Sequence, residues 1–170
     1  MPKLSEGATV QRPILSYAEE AGWKVLSPYD AAALRHGEGG LLLHGVFVRQ
    51  VQKLNPGVVN LPRAEDLARA LSRVPPTIEG NYRAWEYLRG LRTAYVPEER
   101  RERNVRLLDP ANPQANTFDV TEELTYDNGT RRIRPDVVFF VNGIPVLVLE
   151  AKAPQKQDAM DEALAQLRRY

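Results

Sequence analysis

The sequence predicts an α/β domain in which a mixed β-sheet is flanked by helices and preceded by a mainly helical part. Apolar residues recur with helical spacing through the first half of the chain, whereas residues 104–149 contain short β-branched and aromatic runs separated by Pro- and Asn-rich loops. A helical pattern returns at residues 156–170. We therefore expect one domain over residues 1–170, with a mainly helical part at 1–95 and the sheet with its following helix at 96–170.

Glycine and proline separate the predicted helices of the first part. Gly22 ends the first helix, and a short strand is expected directly after it. Asn55-Pro56-Gly57 and Pro75-Pro76 end later helices. The predicted helical segments are residues 8–21, residues 30–54 in two pieces broken around 37–40, residues 63–74 and residues 81–92; the short strand is residues 23–27.

The second part is strand-like, and its clearest element is a hairpin around Asn142-Gly143. Both arms of this hairpin are apolar at nearly every position, which is typical of strands covered on both faces. Residues 104–109 and 117–126 are the other predicted strands, and we expect one more strand after Tyr170. An apolar stripe on the last helix is expected to pack on the sheet; it consists of Met160, Ala163, Leu164 and Leu167.

Composition excludes several classes of protein. A chain of 170 residues can form one ordinary domain, and no apolar window approaches the length of a membrane span. The N-terminus lacks the apolar core of a signal peptide, and the absence of cysteine fits a cytoplasmic setting. His36 and His44 have no Cys or acidic partner at metal-ligand spacing, so we interpret both as ordinary surface residues.

The arginines are distributed unevenly, although the net charge is only +1. Arginine has a planar guanidinium that suits phosphate oxygens. The first cluster is mixed with glutamates, and we interpret it as an ordinary surface. The second cluster leads directly into Asp136, and for it an ordinary surface and a phosphate-binding site are equal alternatives. The two clusters are Arg100, Arg101, Arg103 and Arg106, and Arg131, Arg132 and Arg134.

Charged residues close both arms of the hairpin. Asp136 opens the first arm, while Glu150 and Lys152, two residues apart on the second, leave the same face of the strand. Two carboxylates and the backbone carbonyl of Ala151 would make an oxygen site that suits Mg²⁺, and Lys152 could orient water or stabilise charge on a phosphate. The pattern indicates metal-dependent phosphodiester hydrolysis; a salt bridge at a strand end is the alternative.

The length of the turn determines whether the carboxylates meet. A two-residue turn, Asn142-Gly143, would place Asp136 and Glu150 on opposite faces of the hairpin, because side chains alternate along a strand. A three-residue turn that includes Ile144, or a bulge, would bring them together. We predict the three-residue turn, with Asp136 directly across from Glu150, since Pro145 offers no N–H to a tight ladder beside the loop.

Residues 134–154 resemble the PD-(D/E)-x-K nuclease signature of the restriction (R) subunit of type I restriction–modification enzymes. The likeness covers essentially the whole chain, including residues 5–23, 55–60 and 117–126, and residues 166–170 resemble the Q-x-x-x-Y motif of that subunit. The resemblance implies a restriction-endonuclease-like core. It also implies a Mg²⁺-dependent endonuclease that cuts double-stranded DNA, with Mn²⁺ able to replace Mg²⁺. Its catalytic residues would be Asp136, Glu150 and Lys152.

The resemblance also gives roles to residues outside the hairpin. Gln166 and Tyr170 are spaced i, i+4, and from the spacing alone we would interpret them as a polar edge of the helix. The resemblance implies that they lie near the DNA or the active site. An acidic residue of the first helix is expected near the metal, and Glu6 or Glu20 is the candidate. The second arginine cluster supplies the candidates for DNA phosphate: Arg131, Arg132 and Arg134.

In the intact subunit, the resemblance implies an ATP-driven, helicase-type translocase after the nuclease. No G-x-x-x-x-G-K-[ST] loop occurs in the 170 residues, so we expect ATP to act only through those missing motor domains. The expected partners are double-stranded DNA and the methyltransferase and specificity subunits, in a bacterial or archaeal cytoplasm and away from membranes. Two alternatives are a non-catalytic docking domain that links the translocase to those subunits and a stand-alone repair nuclease of the same fold.

Overall fold

A computed structural model describes residues 11–152 and 158–168, which contain six α-helices and a mixed sheet and confirm the predicted α/β class. The α-helices are α1 Arg12–Glu20, α2 Pro28–Leu34, α3 His44–Leu54, α4 Leu61–Ser72, α5 Ile78–Leu88 and α6 Ala159–Leu167. The strands are β1 Lys24–Leu26, β2 Thr93–Val96, β3 Arg101–Asn104, β4 Phe118–Glu122, β5 Tyr126–Asp127, β6 Arg132–Ile133, β7 Val137–Val141 and β8 Ile144–Leu149. None of the helices in this described part is both long and apolar enough to cross a bilayer.

Local sequence signals fix the starts of three helices and the end of α1. The side-chain oxygens of Ser27, Asn60 and Thr77 each accept a hydrogen bond from the backbone N–H three residues later and so begin α2, α4 and α5. After α1, Gly22 takes a φ of 91°, and the N–H of Trp23 bonds back to the carbonyl of Ala18. The predicted order of helices is therefore confirmed to within a few residues.

The central sheet has the strand order β1-β4-β7-β8. β1 and β4 run parallel, with Lys24 facing Asp119 and Leu26 facing Thr121, although β1 lies in the predicted helical part of the chain. Two antiparallel pairs, β2–β3 and β5–β6, form separate two-stranded sheets in the described residues. The mixed sheet thus takes its first strand from the N-terminal segment, and its last two strands form the predicted hairpin.

The predicted strand at residues 104–109 is wrong beyond Asn104. Val105 and Leu107 are buried but lie in no strand, and the N–H of Val105 donates to the carbonyl of Arg92, directly before β2, at 2.9 Å. The side chain of Asn55 replaces a ladder here: its Nδ2 donates to the carbonyl of Arg106 at 2.7 Å, and its Oδ1 accepts from the Arg106 N–H at 2.8 Å. The side-chain amide of Asn55 thus satisfies the backbone N–H and carbonyl of Arg106. The strand pairing in this region is instead formed by β2 and β3, which are less apolar.

The turn of the hairpin contains two residues, so the predicted three-residue turn is wrong. Asn142 and Gly143 have φ values of 52° and 77°, as a type I′ turn requires, and Ile144 already belongs to β8. In such a hairpin the nitrogen of Pro145 points away from the partner strand, so its missing N–H costs nothing. A bulge before Asp136 is the other way to bring Asp136 and Glu150 to the same face of the hairpin, and it stays a prediction.

Both apolar surfaces at the end of the chain are more exposed than predicted. β8 lies at the edge of the sheet, with Val146 44% and Leu147 49% exposed, so its faces are not both covered in the described residues. On α6, Met160 is 73% exposed, and Leu164 and Leu167 are also exposed, so the predicted packing of this stripe on the sheet is wrong. The helix instead directs the face with Gln166 toward the end of the sheet, where Gln166 bonds to a lysine.

The described residues pack in two units. The first takes in the described parts of 1–40 and 145–170 together with 118–140, and its core contains Leu15, Val120 and Val137. The second takes in residues 41–117 and the turn at 141–144. Its core is formed by α3, α4 and the segments around β2 and β3, and includes Phe47, Val51, Val96, Val105 and Leu107. The single domain over residues 1–170, with its parts at 1–95 and 96–170, stays a prediction.

Candidate functional site

Asp136 is held just before β7 by two hydrogen bonds. Its backbone carbonyl accepts from the N–H of Glu123 at 2.8 Å, next to the end of β4. Its side-chain Oδ2 accepts from the N–H of Ala151 at 2.7 Å, and Ala151 is only 4% exposed. The carboxylate of Asp136 therefore lies against the backbone that directly follows Glu150, and its Oδ1 is the oxygen it could offer to a cation.

Glu150 and Lys152 follow β8 and form an ion pair. Their side chains are 1% and 14% exposed, and Nζ of Lys152 lies 3.9 Å from Oε2 of Glu150. A carboxylate this deeply buried is costly unless a positive charge lies near it, so Lys152 compensates for part of that cost. The alternating pattern Glu-x-Lys thus places both groups on one side of the chain, as predicted from the spacing.

Lys152 also connects the sheet to α6. Its Nζ donates to Oε1 of Gln166 at 2.7 Å. The predicted position of Gln166 at this end of the sheet is confirmed, while its role toward DNA stays a prediction. Tyr170, the second residue of the motif, lies outside the described residues, so its predicted position stays a prediction.

These side chains open onto a cleft of about 1000 Å³ within the first unit. Asp136, Lys152 and Gln166 line it, whereas Glu150 is buried behind them. Five cationic and two acidic side chains face the cleft, so its lining is positive overall and suits an anion such as phosphate. The other charged lining residues are Arg131, Arg132, Arg134, Glu162 and Arg168.

The carboxylates offer the hard oxygen donors that Mg²⁺ accepts. Glu150 and Ala151 are adjacent in the chain, and Asp136 is hydrogen-bonded to the N–H of Ala151, so these oxygen donors lie in one region and fit such an ion. Of the two candidates for a third acid, Glu20 is an exposed residue at the end of α1 and does not join Asp136 and Glu150 in a group, whereas Glu6 lies outside the described residues and its place stays a prediction. Across residues 11–152 and 158–168, no three His, Cys, Asp or Glu side chains converge.

Several residues of this region were missed by sequence reasoning. Glu162 and Arg168 line the cleft, and the spacing of Glu162 four residues before Gln166 was the signal for its side of α6. Arg35 is 3% exposed and donates to the carbonyls of Gly40 and Thr125 at 2.9 and 2.6 Å. Burial lowers the pKa of Arg35 from its ordinary value. No pattern in the sequence indicates that this arginine is buried and bonds to two backbone carbonyls.

His44 is not the ordinary surface residue that we predicted. Its Nε2 lies 2.8 Å from Oε2 of Glu65, and its side chain is 26% exposed. The partner comes from α4, twenty-one residues later, which explains why no metal-ligand spacing was visible. This pair lies in the second unit and does not belong to the cleft.

The fold and the site define a mixed α/β domain that presents two carboxylates and a lysine at the ends of neighbouring strands. The family model described as "Type I restriction enzyme R protein N terminus" matches residues 3–170, so the chain belongs to that family. It is 29% identical over 171 residues, 93% of this chain, to the "Putative type I restriction enzyme MjaIXP endonuclease subunit" of Methanocaldococcus jannaschii. It is 39% identical over 75 residues, 44% of the chain, to the MjaVIIP endonuclease subunit of the same organism. The aligned parts make up 16% and 7% of those proteins.

Proposed function

We propose that the chain is the Mg²⁺-dependent endonuclease domain of a type I restriction enzyme R protein and hydrolyses phosphodiester bonds of double-stranded DNA. The family and the relatives' names, which call them endonuclease subunits, support the general role. One observation carries the finer proposal: the carboxylate of Asp136 bonds to the backbone between Glu150 and Lys152, beside a cleft with a positive lining.

The acidic residues would hold the metal. Asp136 through Oδ1, Glu150 and the carbonyl of Ala151 are the proposed ligands, with Glu6 as a further acidic group. When bound, Mg²⁺ supplies polarisation of a phosphoryl oxygen and a lower pKa for a bound water. The burial of Glu150 keeps its carboxylate away from bulk water, so a cation there is weakly screened.

Lys152 is the proposed electrostatic catalyst. Its ammonium donates one of its three hydrogens to the Gln166 amide and lies 3.9 Å from the Glu150 carboxylate. An N–H that Gln166 does not use can donate to a water or to a phosphate oxygen on which negative charge develops. Gln166 accepts from Lys152 without neutralising it, so it orients the ammonium and leaves the full charge available.

The remaining proposals concern a longer protein. The chain spans 16% or less of the two relatives described above. We propose that ATP acts only through translocase domains outside these 170 residues. We propose the methyltransferase and specificity subunits as its partners in the restriction complex, and the cytoplasm as its location. Tyr170 is proposed to act with Gln166 near the DNA.

Metal binding tests the proposal even if the isolated chain cleaves DNA slowly. Crystals soaked in Mn²⁺ should show an ion, identified by anomalous scattering, between Asp136 and Glu150. Isothermal titration should show Mn²⁺ binding that is lost in Glu150→Gln and kept in Met160→Ala, a variant on the exposed face of α6.

The matching activity assay uses supercoiled plasmid with Mg²⁺, with Mn²⁺ and with EDTA. We expect nicking or linearisation with either metal and none with EDTA or with Glu150→Gln. A chain that binds no Mn²⁺ and leaves DNA intact would contradict the nuclease and support the docking domain, which should then bind the methyltransferase and specificity subunits without cutting.

A further inference from the structure

The arginines around the cleft differ in whether they already have ionic partners. Arg132 lies 3.5 Å from Glu38 and 3.9 Å from Asp127, and Arg134 lies 3.9 Å from Glu123. Within the described residues, Arg131 and Arg168 have no carboxylate at salt-bridge distance, although both are exposed and line the cleft. A phosphate bound to Arg132 or Arg134 would be repelled by the carboxylates that pair with these arginines. A phosphate bound to Arg131 or Arg168 would meet a positive charge that no carboxylate at salt-bridge distance offsets in the described residues.

The β5–β6 hairpin that carries Arg131 is fixed to the segment after α2. The buried guanidinium of Arg35 donates to the carbonyl of Thr125, directly before β5. The N–H of Asp127 donates to the carbonyl of Glu38 at 3.1 Å, and Glu38 pairs with Arg132. These contacts lie within the first unit and hold both strands of the hairpin, so little ordering is needed when it binds a ligand.

The tip of the hairpin is closed by the side chains of Asp127, which accepts from the N–H of Gly129 at 2.8 Å, and Asn128. Oδ1 of Asn128 accepts from the N–H groups of Thr130 and Arg131 at 3.0 and 2.8 Å, and from the Thr130 hydroxyl at 2.8 Å. The backbone of Arg131 is therefore fixed while its guanidinium stays exposed. Arg168 is similarly placed at the C-terminal end of α6, two residues after Gln166, where its N–H bonds to Leu164.

We propose that Arg131 and Arg168 form a phosphate clamp, in which the β5–β6 hairpin and α6 each give one arginine to the backbone of duplex DNA in the cleft. Arg132 and Arg134 are positioning residues that hold the hairpin through their carboxylate partners. The clamp rests on the proposed nuclease function, since it places the DNA backbone beside Asp136 and Lys152. It adds Arg168 to the DNA-contacting residues and takes Arg132 and Arg134 out of them.

Salt-dependent DNA binding tests the clamp. The probe is a fluorescein-labelled 30-base-pair duplex, measured by anisotropy in EDTA, so that cleavage does not contribute. Each phosphate contact contributes about −0.9 to the slope of log K against log salt concentration. We expect Arg131→Gln and Arg168→Gln each to reduce the slope by about 0.9 and the affinity roughly tenfold at 0.1 M salt, and the double variant to lose about twice that slope.

Three matched variants complete the test. Arg12→Gln, on the exposed side of α1, and Arg132→Gln should each leave the slope within about 0.3 of the unchanged chain, while Arg131→Lys should keep it because the charge remains. Thermal melts confirm that each variant is folded. Equal slope losses in Arg131→Gln and Arg132→Gln, unchanged slopes in Arg131→Gln and Arg168→Gln, or no binding by the unchanged chain would each overturn the clamp. An unchanged slope in the double variant, together with metal-dependent cleavage, would overturn the clamp and leave the nuclease standing.

Discussion

The ammonium of Lys152 donates to the amide oxygen of Gln166 at 2.7 Å, and this bond joins the end of the sheet to α6. The same ammonium lies 3.9 Å from the buried carboxylate of Glu150. The partner at hydrogen-bond distance is thus the neutral one, and the acidic partner is farther away. Gln166 consequently governs where the charge of Lys152 points.

Replacing Gln166 should slow DNA cleavage without unfolding the chain. In Gln166→Ala the ammonium is free to move toward Glu150, and we expect the rate constant of cleavage to fall about 10- to 100-fold, as when the supporting partner of a catalytic ligand is lost. Single-turnover cleavage of a labelled duplex measures the rate constant. Met160→Ala on the same helix should keep the unchanged rate, and Gln166→Glu, which retains an acceptor, should recover part of it. Equal rates for Gln166→Ala and Met160→Ala would contradict the role.

Asp136 should separate stability from catalysis. Repulsion between carboxylates alone would make the loss of Asp136 neutral or stabilising without metal. Its hydrogen bond to Ala151 changes that expectation: Asp136→Ala leaves a buried N–H unsatisfied and should cost about 1–3 kcal/mol of unfolding free energy. Asp136→Asn keeps an acceptor and should unfold at nearly the same urea concentration, yet lose cleavage and Mn²⁺ binding. A stable Asp136→Ala would show that the bond to Ala151 contributes little.

Gly143 should tolerate no side chain. Its φ of 77° already disfavours one, and a Cβ there would lie 2.6 Å from the carbonyl oxygen of Leu43 and 2.8 Å from the nitrogen of Phe47. Gly129 provides a matched control, with a φ of 83° and open space around its Cβ position. We expect Gly129→Ala to cost about 1–2 kcal/mol from backbone strain alone. Gly143→Ala should cost about 1–3 kcal/mol more from overlap, and urea unfolding of both variants checks the difference.

Glu99 should show the acid sensitivity of an arginine-bound carboxylate. Hydrogen bonds from Arg101 and then Arg103 lower its pKa from the ordinary 4.5. Because the folded-state pKa is depressed, the stabilisation is present above the unfolded value and is lost as the pH falls through the folded one. Carboxyl titration by NMR should show the midpoint rising in Arg101→Gln and unchanged in Arg100→Gln. A midpoint that does not respond to Arg101→Gln would show that the contact does not persist in solution.

Local signals in the sequence were enough for the helices and for the neighbourhood of the candidate site. Gly22 and Pro56 end helices through their own backbone preferences, and a hairpin brings Asp136 to the end of the following strand whatever surrounds it. The Glu-x-Lys spacing similarly determines that Glu150 and Lys152 share a side. These features depend on residues close together in the chain.

The features that the sequence did not reveal depend on distant partners. The two-residue turn is fixed by Asn142, whose side chain is 1% exposed and bonds to the N–H of Thr117 and the carbonyl of Leu107. The exposure of the apolar face of α6 was not predicted, because the spacing of apolar residues shows which face is apolar but not whether another element covers it. The spacing of the arginines could not show which of them have a carboxylate partner, since Glu38 lies almost a hundred residues before its partner Arg132.

The parallel pairing of β1 with β4 has a consequence for the order of folding. Lys24 faces Asp119, so this ladder closes a loop of roughly ninety residues, and such closure carries an entropy cost that grows with the logarithm of the loop length. Residues 41–117, which fill most of that loop, have their own apolar core and can collapse first, which shortens the flexible chain left to close. We expect the amides of α3 and α4 to gain protection from pulsed hydrogen exchange before those of β1. The acidic–lysine site would then be the late product of folding, assembled only once the inserted segment has formed.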